Sequence, residues 1–200
     1  KKVALVAGAS GIVGQQLSQA LIADHWQVKA LTHRSDYAVS SPEVIAVDLR
    51  DSQQCQQRLS SLTDVTHLFY SAWLNAPDWG TMVGPNLVML QNLVQTMEDV
   101  APLEHVSLMQ GYKVYGAHLG CFKTPARESD PGVPGAEFNA AQLNWLSAQQ
   151  QGKAWHWSAL RPGVVGSERP GNSMHLALSL ALYASISRAA QLPIRFPGSP

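Results

Sequence analysis

Short runs of apolar residues alternate with amphipathic stretches along most of the chain. The apolar runs are typical of buried parallel strands, and the stretches with an apolar residue every three or four positions are typical of helices that bury one face. The pattern predicts a first strand from Val3, and further strands at 28–32, 44–47, 65–71, 105–111 and 155–160. It predicts helices at 15–26, from the cap Asp51 to about 62, and at 82–100, 138–150 and 173–188.

The turn after the first strand carries three glycines with the spacing G-x-x-G-x-x-G. These are Gly8, Gly11 and Gly14, and an amphipathic helix follows at once. A buried strand that turns through glycines into a helix N-terminus can hold the pyrophosphate of a dinucleotide, because the backbone approaches the phosphates closely and the helix dipole attracts their charge. The predicted contacts in this segment are Gly8, Ser10, Gly11, Ile12, Val13 and Gly14.

Strands that alternate with helices from the start of a chain form a parallel sheet with right-handed crossovers. Together with the glycine turn, this predicts an α/β fold, a doubly wound parallel sheet of the Rossmann type that binds NAD(P). By analogy with other folds that open on this glycine pattern, we expect the strand order 3-2-1-4-5-6. We expect one such domain over residues 1–200, with a substrate-binding portion missing after it.

Composition narrows the classes of partner. Hydrophobic residues make up 46% of the chain and charged residues 14%, and the formal net charge is zero. This balance predicts a large core and gives no electrostatic reason to expect nucleic acid or a membrane surface as partner. The two cysteines form no framework, no signal peptide is visible and the histidines show no metal-binding spacing, so we expect a cytoplasmic protein without a metal.

The end of the second strand indicates which nicotinamide cofactor is bound. An acidic side chain at this place would receive the ribose hydroxyls of NAD, whereas this chain has His33 and Arg34. An arginine can hold the 2′-phosphate of NADP with two hydrogen bonds, which favours NADP(H). Asp36, which lies close by, weakens this interpretation.

Other predicted cofactor contacts follow the remaining strands at the carboxyl edge of the sheet. The crevice of a doubly wound sheet lies along this edge. Asp48 can contact the adenine or merely cap the next segment, and the residues from 162 onward are placed to hold the carboxamide of a nicotinamide. The predicted contacts are Asp48, Leu49, Ser71, Ala72, Trp73, Pro162, Gly163, Val164 and Val165.

Two long segments carry a resemblance to a known family. Residues 108–125, LMQGYKVYGAHLGCFKTP, and residues 157–174, WSALRPGVVGSERPGNSM, resemble the progesterone 5β-reductase and iridoid synthase branch of the short-chain dehydrogenase/reductases. The resemblance implies NADPH-dependent reduction of the C=C bond of a small enone or enal. It also implies that Lys113 holds the ribose and acts electrostatically on the reaction, and that Gln110, Ser173 and Met174 contact the cofactor.

The tyrosine that this family uses as hydrogen-bond donor is absent. The family pattern F-Y-x-x-Q corresponds to residues 138–142, where Asn139 stands in place of the hydroxyl, and no Y-x-x-x-K occurs. Three hypotheses remain open. Asn139 acts as a weaker donor, or Tyr112 or Tyr115 replaces it, or the chain binds NADP(H) as a non-redox sensor or regulator. A sugar-nucleotide epimerase is disfavoured because it also needs Y-x-x-x-K.

The sequence leaves the oligomeric state open. The apolar helix predicted at 173–188 could face the core or a second copy, so a homodimer is one interpretation. It also leaves the substrate open, since the family closes its pocket with segments beyond the dinucleotide-binding half. The irregular stretch 112–135 is long enough to predict a functional loop.

Overall fold

The structure is a computed structural model, and it describes residues 2–33, 43–133, 137–166 and 176–195. The chain divides into two compact units, Lys1–Gly163 and Val164–Pro200. The first unit contains all six strands and the helices that pack on them. The described residues of the second unit form one helix.

The first unit is a six-stranded parallel sheet with helices between its strands. Strands β1 to β6 are Val3–Ala7, Gln27–Thr32, Glu43–Ala46, His67–Tyr70, His105–Met109 and His156–Leu160. Helices α1 to α4 are Ile12–Ala23, Ser52–Leu59, Trp79–Val100 and Phe138–Gln150, and a single 3₁₀ turn spans Tyr112–Tyr115. The strand order is β3-β2-β1-β4-β5-β6, which confirms both the predicted fold class and the predicted order.

Strand β1 lies at the centre of the sheet and is buried along its whole length. Because successive side chains of a strand point to opposite faces, β1 contributes to two separate cores. Val3 and Leu5 belong to the larger core, which includes apolar residues of α2, α3 and α4. Ala4 and Val6 belong to the smaller core, which includes Leu21 of α1. This division is the packing expected of a doubly wound sheet.

Helix ends differ from the sequence expectations by a few residues where a cap decides the boundary. Asp51 caps α2 as predicted, since its side chain accepts a hydrogen bond from the backbone N–H of Gln54. Helix α3 begins at Trp79 rather than at 82, because Asp78 caps it in the same way. Trp79 lies four positions before Val83 and continues the apolar face, so it was the sequence signal for this first turn, which Gly80 and Thr81 interrupt. Helix α4 has the predicted bounds, with Glu137 as its cap.

The second unit contains helix α5, Leu176–Ala189. The predicted start of this helix at 173 lies outside the described residues. Tyr183 of this helix contacts the segment that follows it. Its hydroxyl accepts a hydrogen bond from the backbone N–H of Arg195 and donates one to the carbonyl oxygen of Arg195. Among the described helices of both units, none combines the length and the hydropathy that crossing a bilayer requires.

Three histidines form a row across the amino edge of the sheet. His67, His105 and His156 begin β4, β5 and β6, and the register pairs each with the next. The ring centroids of His67 and His105 are 6.3 Å apart. Burial lowers the pKa of both below the ordinary 6.5, and the charges of His67 and His156 lower the pKa of His105 further. Glu104 acts on His67 in the opposite direction, and Lys2 acts in the same direction as burial.

This row predicts a pH-dependent stability. Because the pKa values of His67 and His105 are lower in the folded than in the unfolded chain, the unfolded chain binds more protons near pH 6. The stabilisation is complete above the unfolded value of 6.5 and is lost as the pH falls through the lowered, folded-state values. We expect the free energy of unfolding, measured with urea, to decrease as the pH is lowered from roughly 7.5 to 5.5.

His105→Gln tests this expectation, with His25→Asn as the matched control because His25 is exposed and asparagine tolerates its positive φ of 61°. His105→Gln should flatten the decrease and His25→Asn should leave it unchanged. An equal slope in the native chain and in His105→Gln would contradict the role of the row.

Candidate functional site

A cleft of about 590 Å³ opens where β1 to β4 end. Nine of the predicted cofactor contacts line it: Gly8, Ser10, Gly11, His33, Asp48, Leu49, Ser71, Ala72 and Trp73. Six further lining residues were not predicted: Leu31, Thr32, Val47, Arg50, Leu74 and Met89. Most of these are direct neighbours of predicted residues at the strand ends. Met89 comes from α3, and its only sequence signal is its place on the apolar side of that helix.

The glycine turn packs directly against the end of β4. Gly8 has a φ of +77°, and a Cβ atom there would lie 2.7 Å from backbone atoms of Ser71 and Ala72. At Gly14 a Cβ atom would overlap the backbone of Gly8 and lie 2.7 Å from Cα of Ala9. Both positions therefore exclude every side chain, because the backbone itself occupies the space. Gly14, Ile12 and Val13 lie within α1 and do not line the cleft.

The N-terminus of α1 faces this turn without a side-chain cap. Gly11 is its N-cap residue, and no side chain accepts from the first N–H groups in the manner of a cap. The backbone N–H of Gly11 donates to the carbonyl oxygen of Gly8 at 2.9 Å, which closes the turn. Such an end can bind an anion through its backbone donors and its dipole.

The segment that follows β4 forms the opposite wall of the cleft. The hydroxyl of Ser71 donates to the carbonyl oxygen of Ala7 at 2.8 Å. The side-chain amide of Asn86, which is fully buried in α3, accepts from the backbone N–H of Leu74 at 2.7 Å and donates to its carbonyl oxygen at 2.9 Å. Trp73 lies between them and is 51% exposed. The wall is thus fixed by its backbone and presents an aromatic ring.

Asp48 and Arg50 form a charged pair in the cleft lining. The Nε and Nη2 atoms of Arg50 donate to both carboxylate oxygens of Asp48, at distances of 2.6–3.2 Å. These hydrogen bonds lower the pKa of Asp48 and raise that of Arg50. His33 lines the same cleft, and Arg34 lies outside the described residues. The sequence offered one signal for Arg50, its place two residues after Asp48.

A second group of predicted residues lies beyond the ends of β5 and β6, and the residues of this group do not line the cleft. The ammonium of Lys113 lies 4.1 Å from the ring centroid of Trp79, a cation–π contact. The ring of Tyr112 is 49% exposed and lies against Gly163, where a Cβ atom would be 3.5 Å from it.

Pro162 and Gly163 follow β6, while Val164 and Val165 belong to the second unit. Ser173 and Met174 lie outside the described residues.

Asn139 is buried and directed at a carboxyl group. Its side-chain amide donates to Glu137 at 2.7 Å, and the backbone carbonyl oxygen of Asn139 accepts from the side chain of Gln110 at 2.6 Å. Burial raises the pKa of Glu137, although the hydrogen bonds from Ala140 and Asn139 act in the opposite direction. The exposed fraction of Asn139 is 6%. The amide that replaces the tyrosine is therefore already used within the protein.

Comparison with known proteins identifies the family. The sequence profile described as the PRISE-like Rossmann-fold domain matches residues 43–199. The chain belongs to this family. The resemblance seen in segments 108–125 and 157–174 is thus confirmed, and the parallel sheet is the Rossmann domain of a PRISE-like protein.

Curated relatives of this PRISE-like chain are named as enol synthases and as a steroid 5-beta-reductase. An (S)-8-oxocitronellyl enol synthase of Camptotheca acuminata is 31% identical to this chain. The aligned region covers 100% of this chain and 55% of the synthase. A 3-oxo-Delta(4,5)-steroid 5-beta-reductase of Arabidopsis thaliana is also 31% identical, with the same coverage of both chains. The chain therefore spans about half the length of these curated relatives.

Solved structures share the fold of this PRISE-like domain. The UDP-glucose 4-epimerase of Thermus thermophilus, solved as a complex with NAD, has a TM-score of 0.73 at 20% identity. The match covers 98% of this chain and 67% of the epimerase. At this identity the likeness shows the Rossmann fold alone.

Proposed function

We propose that this chain forms the cofactor-binding part of an NADP(H)-dependent reductase that acts on the C=C bond of small enones or enals. The observation that carries the proposal is the glycine turn at the carboxyl edge of the sheet, packed against Ser71 and Ala72, in a chain of the PRISE-like family. Relatives named as enol synthases and as a steroid 5-beta-reductase support the reductive chemistry. No relative fixes the substrate beyond this class.

The residues of the cleft fit a dinucleotide. Its volume lies within the range of small-molecule sites, and the turn between Gly8 and Gly11 leaves room for phosphates beside the uncapped end of α1. We assign the 2′-phosphate of NADP to His33 and Arg34, with Arg50 as a further cation. Because Arg50 already pairs with Asp48, this carboxylate repels a phosphate less than a free one. The predicted contacts Gln110, Pro162 and Gly163 would hold the nicotinamide half, and Val164, Val165, Ser173 and Met174 stay predictions from the sequence.

The protein must provide orientation and charge for the reaction. When bound, the reduced nicotinamide supplies a hydride to the substrate. Negative charge then develops on the carbonyl oxygen of the enone, and a donor aimed at this oxygen lowers the barrier. Lys113 would hold the ribose and contribute positive charge near the same place.

A second candidate function is a non-redox protein that binds NADP(H) as a sensor or regulator. One observation favours it, namely that the amide of Asn139 is directed at Glu137 inside the protein. In that case the cofactor cleft would serve binding alone.

The consumption of NADPH with a small cyclic enone separates the two candidates, with the protein at its full natural length. We expect turnover in the native protein and a decrease in kcat of about a hundredfold in Lys113→Met, since the variant lacks the positive charge near the developing oxyanion. Lys153→Met is the matched control, because Lys153 pairs with Glu98 far from the cleft. Tight binding of NADPH, followed by its fluorescence, without turnover of any enone or enal would reject the reductase in favour of the regulator.

We further propose a cytoplasmic location and a small-molecule substrate as the only partner that the site itself needs. Both described cysteines, Cys55 and Cys121, are free thiols, as expected of a reducing compartment. A homodimer remains a prediction that sedimentation of the native protein would decide.

A further inference from the structure

Arg161 carries a half-buried positive charge that no carboxylate of the described residues neutralises. It follows β6, and its guanidinium donates to three neutral oxygens: Gln110 Oε1 at 3.2 Å, the hydroxyl of Tyr115 at 2.6 Å and the carbonyl oxygen of Glu128 at 3.2 Å. No carboxylate among the described residues forms an ion pair with it. A partly desolvated cation with neutral partners favours the approach of an anion.

The contact between Arg161 and Tyr115 fixes the direction of the hydrogen bond. A guanidinium has donors only, so the phenol oxygen of Tyr115 is the acceptor. The proton of this hydroxyl must therefore point elsewhere, and no described residue accepts it. The guanidinium carbon also lies 5.0 Å from the centroid of the Tyr115 ring, which holds the ring as well as its oxygen.

Gln110 anchors Arg161 from the side of β5. Its Oε1 accepts from Arg161, while its Nε2 donates to the carbonyl oxygen of Asn139 in α4. Gln110 is buried, so its hydrogen bond to Asn139 is shielded from water and the one from Arg161 is partly shielded. The guanidinium thus contacts Gln110 at the end of β5, which is itself hydrogen-bonded to α4, and it also contacts the loop that contains Glu128.

The other two candidate donors lack these properties. The amide of Asn139 is buried and donates to Glu137. The ring of Tyr112 is half exposed, and no hydrogen bond to a described residue fixes its hydroxyl. A catalytic donor needs a fixed position, because displacement by about an ångström can cost a hundredfold in rate. Tyr115 alone combines a fixed oxygen with an available proton.

We propose that Tyr115 is the donor to the carbonyl oxygen of the enone and that Arg161 is its positioning residue; this assignment rests on the proposed reductase function. As the β-carbon accepts the hydride, the C=C electron pair shifts toward the carbonyl carbon and the carbonyl π pair moves onto oxygen. Tyr115 donates a hydrogen bond to the resulting enolate oxygen, and Arg161 favours its negative charge. A proton from water then completes the saturated product at the α-carbon.

The experiment compares Tyr115→Phe, Tyr112→Phe and Arg161→Lys in the protein at its full natural length, with a neutral cyclic enone and NADPH. We expect kcat to fall about a hundredfold in Tyr115→Phe. Arg161→Lys should lose between about ten- and a hundredfold, since lysine keeps the charge but not the fork of donors. Arg58→Lys, on the exposed face of α2, should match the native protein.

Two further readouts separate positioning from structure. The affinity for NADPH and the unfolding temperature should remain within error of the native values in Tyr115→Phe. The affinity for para-nitrophenolate, whose planar anionic oxygen resembles an enolate, should decrease about tenfold or more in the same variant. If Arg161→Lys raises KM only for enones that bear a carboxylate and leaves kcat unchanged, Arg161 binds a substrate anion and the assignment is wrong.

The outcomes distinguish this inference from the function on which it rests. A native protein that reduces no enone rejects both. A native protein that does so, with an unchanged kcat in Tyr115→Phe or a larger loss in Tyr112→Phe, rejects the role of Tyr115 and leaves the reductase standing.

Discussion

Gly8→Ala is expected to abolish cofactor binding and to lower the free energy of unfolding by about 3 kcal/mol. A positive φ costs an alanine roughly 1–2 kcal/mol, and overpacking of a filled site costs roughly 1–3 kcal/mol more. Both apply here, because the φ of Gly8 is +77° and its Cβ would lie 2.7 Å from the backbone of Ser71 and Ala72. Relief of the overlap requires the turn and the wall of the cleft to separate, which moves the donors away from the phosphates.

Urea unfolding and a fluorescence titration with NADPH measure the two effects of Gly8→Ala separately. Gly84→Ala is the matched control, since Gly84 lies on the exposed face of α3, away from the cleft. Alanine there should leave NADPH binding unchanged, and we expect no gain in stability from it, because the ring of Pro85 crowds a Cβ atom on the preceding helical residue. Native affinity in Gly8→Ala would show that the cofactor does not bind at this turn.

Asn86→Ala is expected to destabilise the protein by about 3 kcal/mol and to weaken the binding of NADPH. The variant loses the two hydrogen bonds to the backbone of Leu74 and the one that Asn86 donates to the carbonyl oxygen of Met82. A buried polar group that is left without its partner costs roughly 1–3 kcal/mol, and the N–H and C=O of Leu74 both lose theirs. Leu74 lines the cleft, so its release should disorder one wall of the cofactor site.

Asn92→Ala provides a graded comparison for Asn86→Ala. Asn92 also projects from α3 to a residue of the cleft lining, but it makes a single hydrogen bond of this kind, to the carbonyl oxygen of Leu49 at 2.8 Å. We expect this variant to lose about 1 kcal/mol. Equal losses of stability in the two variants, measured by urea unfolding, would contradict the special role of Asn86.

The sequence predicts the fold because the information that decides it is local. The apolar run of β1 and the glycine turn after it indicate a buried strand and a helix start within a dozen residues, and analogy with other folds that open on this glycine pattern then predicts the strand order. Helix α4 was predicted with its exact bounds, while α3 was predicted to begin too late. Its start depends on the cap Asp78, which the apolar spacing does not indicate.

The candidate site is predictable only in part, because side chains distant in sequence complete it. The contact from Arg161 to Tyr115 spans 46 positions, and that from Gln110 to Asn139 spans 29. No spacing rule links such pairs, since the sheet brings them together. The sequence could name Asn139, Tyr112 and Tyr115 as alternatives, and only burial and hydrogen-bond direction distinguish them. Those observations favour Tyr115.

The central position of β1 has a consequence for the order in which the protein opens. Its five residues are buried and it is hydrogen-bonded on both sides, so its amides should be released only when the whole sheet unfolds. The glycine turn continues directly from this strand. Partial unfolding that detaches the outer strands would leave the glycine turn formed, and a dinucleotide bound there as proposed would then oppose the last cooperative step of unfolding most strongly.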